Sequence, residues 1–259
     1  MANINISTIE SIVREAAKLF ADRNAAHSTR EKGACDYVTQ VDESVQHFIR
    51  TELGNLYPDI QFLGEEQDNS MVDLSAPLWA LDPVDGTTNL IHDYRRSAIS
   101  LALLENGEPV MGIIYDPYLD EMFTAEKGKG SFLNGQPIHV SSAQTMADSL
   151  IAIGTSPYLK DEAPANFRMF ERIFTACQDI RRSGSAAIDL ASIAAGRIDG
   201  FLEKYLHIWD YAAGTLLIRE AGGAVLEYDG TDFTMKMVGC VIAGTKPVAK
   251  ILADEYAIR

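Results

Sequence analysis

The segment WALDPVDGTTNL, residues 79–90, ends an apolar run in two carboxylates, a proline, a glycine and two threonines. Asp82 closes the apolar strand, and Pro83 is expected to stop the ladder there, leaving the carboxylate at a sheet end. Asp85-Gly86 then turns the chain, and Thr87-Thr88-Asn89 can open a short helix whose free N–H groups face the same space. A helix N-terminus, which favours an anion, opening beside two carboxylates, which favour a cation, is contradictory unless a cation and an anion both bind there. A plain turn with Thr87 as helix cap is the alternative for this segment alone. An EF-hand is excluded, because its first and third loop positions would fall on Leu81 and Pro83.

Three further acidic groups stand at similar boundaries. FLGEEQ ends an apolar strand in Glu65-Glu66, which in isolation reads as a solvated loop. FLEKYLHIWDYAAG passes from strand to helix at Asp210, and VTQVDESV does so at Asp42; capping a helix is the local explanation for each. Taken together these carboxylates suit a hard cation, Mg²⁺ or Mn²⁺, and no histidine- or cysteine-rich grouping competes for a softer one. The helix start at Gly86-Thr87 would then seat a phosphate.

The segments GEE (64–66), WALDPVDGTTNL (79–90) and WDYAAGTLLIREAGG (209–223), in this order and spacing, resemble the inositol monophosphatase family of lithium-sensitive, Mg²⁺-dependent phosphatases. The resemblance extends from Lys32 to about Thr245. It implies that Glu65, Asp82 and the Val84 carbonyl hold one Mg²⁺, that Asp82, Asp85 and Asp210 hold a second, and that a looser third sits near Glu65. It implies that Thr87, with Asp42 or Glu65 nearby, activates the attacking water, while the Gly86 and Thr87 N–H groups hold phosphate oxygens. Gly184, Ser185, Ala186 and Glu203 match positions that contact the polyol, and Asp85 and Asp210 border the same substrate. Lys32 matches a basic residue of a mobile N-terminal loop. Ser185 stands where threonine is frequent in the family and keeps the hydroxyl.

Two groups near these motifs read differently. His92 and His207 are expected to be structural, since hydrolysis of this type needs no imidazole. Arg95-Arg96 replaces a proline and an aromatic residue common in the family. A solvated or interface pair is the plainer reading; a contact to an additional anionic group of the substrate is the sharper one.

The elements that must position these residues are legible in outline. Ser7-Thr8-Ile9-Glu10 has the capping-box pattern, opening a helix with Ile9, Ile12, Val13, Ala16, Leu19 and Phe20 on one face. A second helix is predicted from Asp42 to Leu56, with Val45, Phe48, Ile49, Leu53 and Leu56 inward. Strands IQFLG, LWALD, SAISLALL, PVMGIIYD and EMFTAE follow, punctuated by Asn106-Gly107 and Asn134-Gly135. Beyond Ala147, the strands SLIAIG, DGFLE, AVLEY and CVIAGT alternate with helices near 165–177, 185–196, 210–221 and 246–256. The fold class is therefore α+β. Residues 1–147 form an antiparallel-sheet lobe carrying the metal motifs, and 148–259 an α/β lobe carrying substrate contacts. The resemblance implies a layered αβαβα sugar-phosphatase fold, packed as one unit with the site between the lobes.

Composition narrows the partners. The 259 residues carry a net charge of −15, which argues against a nucleic-acid backbone as ligand. Cys35, Cys177 and Cys240 are odd in number and far apart, so neither a disulfide framework nor a zinc site is expected. Glu10, Arg14 and Lys18 interrupt the N-terminal stretch, which does not read as a signal peptide, and no run is long and apolar enough for a membrane span. A cytoplasmic protein is expected, and by analogy a homodimer. The expected activity is hydrolysis of a small phosphate monoester, myo-inositol 1-phosphate first. Fructose 1,6-bisphosphate and 3′-phosphoadenosine 5′-phosphate are alternatives, and a non-catalytic regulatory protein on the same fold is the rival from another class.

Overall fold

The computed structural model describes residues 4–33 and 36–257. The chain opens with helices α1 (Ile6–Ala16) and α2 (Arg23–His27), a hairpin of β1 (Thr29–Gly33) and β2 (Asp36–Thr39), and α3 (Gln40–Leu56). Seven strands follow: β3 (Gln61–Gly64), β4 (Leu78–Asp85), β5 (Ala98–Glu105), β6 (Glu108–Asp116), β7 (Glu121–Glu126), β8 (Gly130–Leu133) and β9 (Gln136–Ile138), with the short α4 (Thr87–Ile91) between β4 and β5. They form one sheet in sequence order, antiparallel except for the parallel pair β3–β4.

The remainder comprises β10 (Leu150–Ile153), α5 (Ala163–Ala176), β11 (Asp179–Arg181), α6 (Ala186–Ala194), β12 (Gly200–His207), α7 (Ile208–Glu220), β13 (Ala224–Leu226), β14 (Val238–Gly244) and α8 (Lys246–Ile251). Its five strands run in the order β11-β10-β12-β14-β13, with β10 parallel to both neighbours and β14 antiparallel to both of its own.

Strand alternation explains the layering. Side chains of β4 point to opposite faces in turn. Trp79 and Leu81 pack with Val13, Val45 and Ile49 of α1 and α3. Leu78 and Ala80 pack instead with Leu190, Tyr211 and Leu217 of α6 and α7, in a core that also takes Phe201 and Val241 from the second sheet. The outer face of that sheet, Ile151, Leu202 and Ile242, meets Met169 and Ile173 of α5 and Val248 of α8. The order of layers is αβαβα. Every residue of α6, and those of α7 from Ile208 to Ile218, are buried, as a helix between two sheets requires. Ser100 Oγ donates to Trp209 O at 2.9 Å and Ser131 Oγ to Leu217 O at 2.6 Å, pinning α7 to the larger sheet.

Several local expectations are corrected. Asn5, not Ser7, caps α1: its side chain accepts from Ser7 N at 2.9 Å, so the helix starts one residue before Ser7. Leu19 and Phe20 fall in a separate 3₁₀ turn, Ala17–Ala21. Helix α3 starts before Asp42, at Gln40, with Thr39 as cap; Leu56 is exposed, while Gln46 is buried and accepts from Glu66 N at 2.9 Å. Pro83 does not end its strand, because a bulge between Asp82 and Asp85 absorbs the missing N–H. Cys177 and Cys240 are free thiols, and Cys35 lies outside the described residues. Among the described residues no helix is long and apolar enough to cross a membrane.

Candidate active site

Where β4 ends, the bulge re-aims two carboxylates. Asp82 is 3 % exposed, and its Oδ1 accepts from Val84 N at 2.9 Å. Asp85 Oδ2 accepts from Ser185 Oγ at 2.7 Å and from Ala187 N, which ties the larger sheet to the start of α6. Ser185 is also the cap of α6, its hydroxyl accepting from Ile188 N at 3.2 Å. Gly86, at φ 95°, caps α4, and a β-carbon there would meet Arg96 O at 2.9 Å, so only glycine makes this turn. Thr87 is thus the first helical residue and not the cap. Its hydroxyl reaches Asp42 Oδ1 at 2.9 Å and Val84 O at 3.1 Å.

Asp42 and Asp210 both sit at the third position of a helix rather than at its cap. Asp42 Oδ2 accepts from Thr39 N at 2.9 Å and from the Thr39 hydroxyl. Asp210 Oδ2 accepts from His207 N at 2.7 Å, and His207, the true cap of α7, stacks on Trp209 at 4.6 Å between ring centres. His92 ends α4 and is exposed.

These segments enclose a cavity of about 500 Å³. Glu65, Asp82, Asp85, Asp189, Glu203 and Asp210 line it, as do Val84, Gly86, Thr87, Gly184, Ser185 and Ala186. Asp42 stands behind Thr87, and Lys32 lies on β1 with Nζ 2.8 Å from Glu65 and 2.7 Å from Glu66. Lys32 is therefore on a strand, not in a loop. Burial opposes its charge, but the two glutamates outweigh burial and raise its pKa.

Charge crowding dominates the electrostatics. Burial, then the charges of Glu65, Asp85, Asp210 and Asp42, pushes Asp82 well above the usual carboxylate range. Burial, then Asp85 and Glu65, does the same to Asp210. Burial takes Asp85 up to about 6 against the hydrogen bonds from Ser185 and Ala187, and Asp42 up to about 7 against those from Thr39 and Thr87. Oxygen donors held this close and short of positive charge suit a hard divalent cation. No group of three or more His, Cys, Asp or Glu among the described residues is gathered into a ready-made metal cage, and Glu65 is drawn onto Lys32. Such an unclosed set fits Mg²⁺, which keeps several waters and substrate oxygens among its ligands.

Opposite these carboxylates, Glu203 is fixed by Ser156 N, which donates to its Oε1 at 2.9 Å. A β-carbon on Gly154 would fall 1.9 Å from the Glu203 carboxyl, so that glycine is what admits it. Burial raises Glu203 to about 7. The sequence reading missed Gly154, Tyr158, Arg182 and Asp189, all of which line the cavity. Arg95 and Arg96 do not line it: Arg95 pairs with Asp93 at 3.5 Å and Arg96 with Asp116 at 3.5 Å.

Five alternating layers with a carboxylate-walled cleft between the two sheets define the sugar-phosphatase architecture. Residues 2–257 match the profile of the inositol monophosphatase family, and the chain belongs to that family. An inositol-1-monophosphatase of Rhizobium meliloti is 40% identical over 224 residues, 86% of this chain and 84% of that one. A Nus factor SuhB of Xylella fastidiosa is 40% identical over 205 residues, 78% of this chain and 73% of that one. The crystal structure of the extragenic suppressor protein suhB from Bartonella henselae superimposes with a TM-score of 0.88 at 35% identity, covering 96% of each chain.

Proposed function

We propose that this chain hydrolyses a small phosphate monoester, with myo-inositol 1-phosphate as first candidate substrate. The observation that carries the reading is the Thr87 hydroxyl, held between Asp42 and the Val84 carbonyl at the rim of a cleft of unneutralised carboxylates. Glu65, Asp82, the Val84 carbonyl, Asp85 and Asp210 are the oxygens that would hold Mg²⁺. Bound there, Mg²⁺ would supply positive charge to the phosphate oxygens and acidify the attacking water.

The protein's own groups do the rest. Thr87 directs its proton toward Asp42 and so turns a lone pair to a water in the cavity. Asp42, raised to about 7, is poised to take a proton through that hydroxyl near neutral pH. The N–H groups at Gly86 and Thr87 would donate hydrogen bonds to phosphate oxygens, and Ser185 would hold Asp85 in place during turnover. Glu203, Gly184 and Ala186 would meet the polyol, whose hydroxyls find an acceptor in the Glu203 carboxyl.

The Nus-factor name of the Xylella relative favours a second reading, a regulatory binding role on the same fold. With a net charge of −15, such a role would rest on contacts other than a nucleic-acid backbone. One assay separates the readings: phosphate release from inositol 1-phosphate, fructose 1,6-bisphosphate and 3′-phosphoadenosine 5′-phosphate, in Mg²⁺ and after EDTA. Mg²⁺-dependent release that chelation abolishes is expected. No release from any ester, or undiminished release in EDTA, would overturn the proposal.

A further inference from the structure

Two turns on opposite sides of the cleft are joined by a side chain that does not itself line the cavity. Asn89 lies on α4, 8 % exposed, one turn-side neighbour away from Thr87. Its Nδ2 donates to Arg96 O at 2.6 Å and to Ser183 O at 3.0 Å, so both amide protons are engaged. Arg96 leads into β5 of the larger sheet, and Ser183 opens the turn that brings Gly184 and Ser185 to the cavity. The glycines of both turns pack on this one amide. A β-carbon on Gly184 would meet Asn89 Nδ2 at 2.8 Å and Oδ1 at 2.9 Å, and one on Gly86 would meet Nδ2 at 3.3 Å.

The two turns differ in what else holds them. Gly86 O accepts from Ser97 Oγ at 2.8 Å, the Thr87 hydroxyl reaches Asp42 and Val84 O, and Arg23 donates to Leu90 O at 2.8 Å at the far end of α4. The 183–185 turn closes on itself instead: Ser183 Oγ donates to Ser185 O at 2.9 Å and accepts from Ser185 N at 3.0 Å. It reaches the larger sheet through the Ser185 hydroxyl on Asp85 and reaches α4 through the Asn89 amide on Ser183 O. Resting on the phosphatase reading, we infer that Asn89 is a positioning residue for substrate choice: it sets the gap between the phosphate seat at Gly86-Thr87 and the polyol wall at Gly184-Ser185. The cleft then rewards an ester whose alcohol fills that gap. Asn89 touches neither substrate nor cation and acts through the turn it holds. A misplacement of about 1 Å in such a wall can cost about 100-fold in rate.

The test compares kcat and KM for inositol 1-phosphate and for para-nitrophenyl phosphate in wild type, Asn89→Ala and Asn89→Asp, with melting temperatures as a check on folding. The aryl ester uses the phosphate seat and has no hydroxyls for the polyol wall. Asn89→Ala is expected to lower kcat/KM for inositol 1-phosphate by about 10- to 100-fold and for the aryl ester only a few-fold, because α4 keeps its other bonds. Asn89→Asp, which keeps the shape but carries no amide donor, should show the same split between substrates. Equal losses on both substrates, whether or not the melting temperature falls with them, would reduce Asn89 to a structural residue and overturn the inference. Wild-type values on both substrates in both variants would overturn it as well. Either result leaves the phosphatase reading standing, whereas turnover of neither ester by wild type would overturn both.

Discussion

The starts of α3 and α7 use one device for different ends. Each places an aspartate at the third helical position, and each aspartate spends Oδ2 on the backbone N–H of the cap, Thr39 or His207. The second oxygen differs. That of Asp42 receives the Thr87 hydroxyl and is shut away from the cavity, with the side chain 0 % exposed. That of Asp210 accepts no hydrogen bond among the described residues, and the residue lines the cleft. Capping and chemistry are therefore not alternatives for a carboxylate. A helix start can consume one oxygen and leave the other to the site.

The largest effect should come from the exposed oxygen. Asp210→Asn retains an acceptor for His207 N and removes a buried charge that its neighbours repel, so the melting temperature should stay at or above wild type. Hydrolysis should drop to the detection floor. Near wild-type turnover in a well-folded Asp210→Asn protein would reduce Asp210 to a cap and remove the contrast with Asp42.

A smaller loss is expected on the other side. Thr87→Ala breaks the link between Asp42 and the cavity without touching the α3 cap, and should lower kcat about 10²-fold, the typical contribution of a positioned proton acceptor. Steady-state kinetics with inositol 1-phosphate would show it. If kcat holds and only KM rises, Thr87 binds phosphate and Asp42 is purely structural.

The smallest effect concerns a carboxyl that belongs to neither helix start. Asp189 on α6 has its pKa raised to about 8, chiefly by burial. Its folded-state value exceeds the unfolded one, so the folded state binds the extra proton, and stability present at low pH is lost as pH rises toward 8. Asp189→Asn should therefore raise the melting temperature by a few degrees at pH 8.5 and change it little near pH 4. A uniform shift at both values would assign the effect to packing instead.

Much of the site was readable because apolar runs stop at Glu65, Asp82 and Asp210, and a strand that ends in acid advertises itself. Placement within the cap was not: Asp42 and Asp210 satisfy the same local rule at the cap and at the third position, and only the backbone distinguishes them. Nor was the β1–β2 hairpin, whose strand TREKG is exposed throughout and shows no alternation. Arg182, Gly154 and Asp189 carry no local signal. Their positions follow from β10, β12 and α6 converging, which is a property of the second sheet as a whole. The layered order, by contrast, came with the family resemblance carried by GEE, WALDPVDGTTNL and WDYAAGTLLIREAGG, and not from the pattern of any single strand.

The wholly buried middle layer has a consequence for how the molecule opens. Amides of α6 and α7 reach water only when one sheet lifts from them, so they are protected to the level of global unfolding, while the five-residue α4 can open locally. Asp210 and Ser185 are thus anchored in the most persistent part of the protein and Thr87 in one of its least. Hydrogen exchange around the cleft is therefore expected to be one-sided, faster in α4 at Thr87 than in α6 and α7.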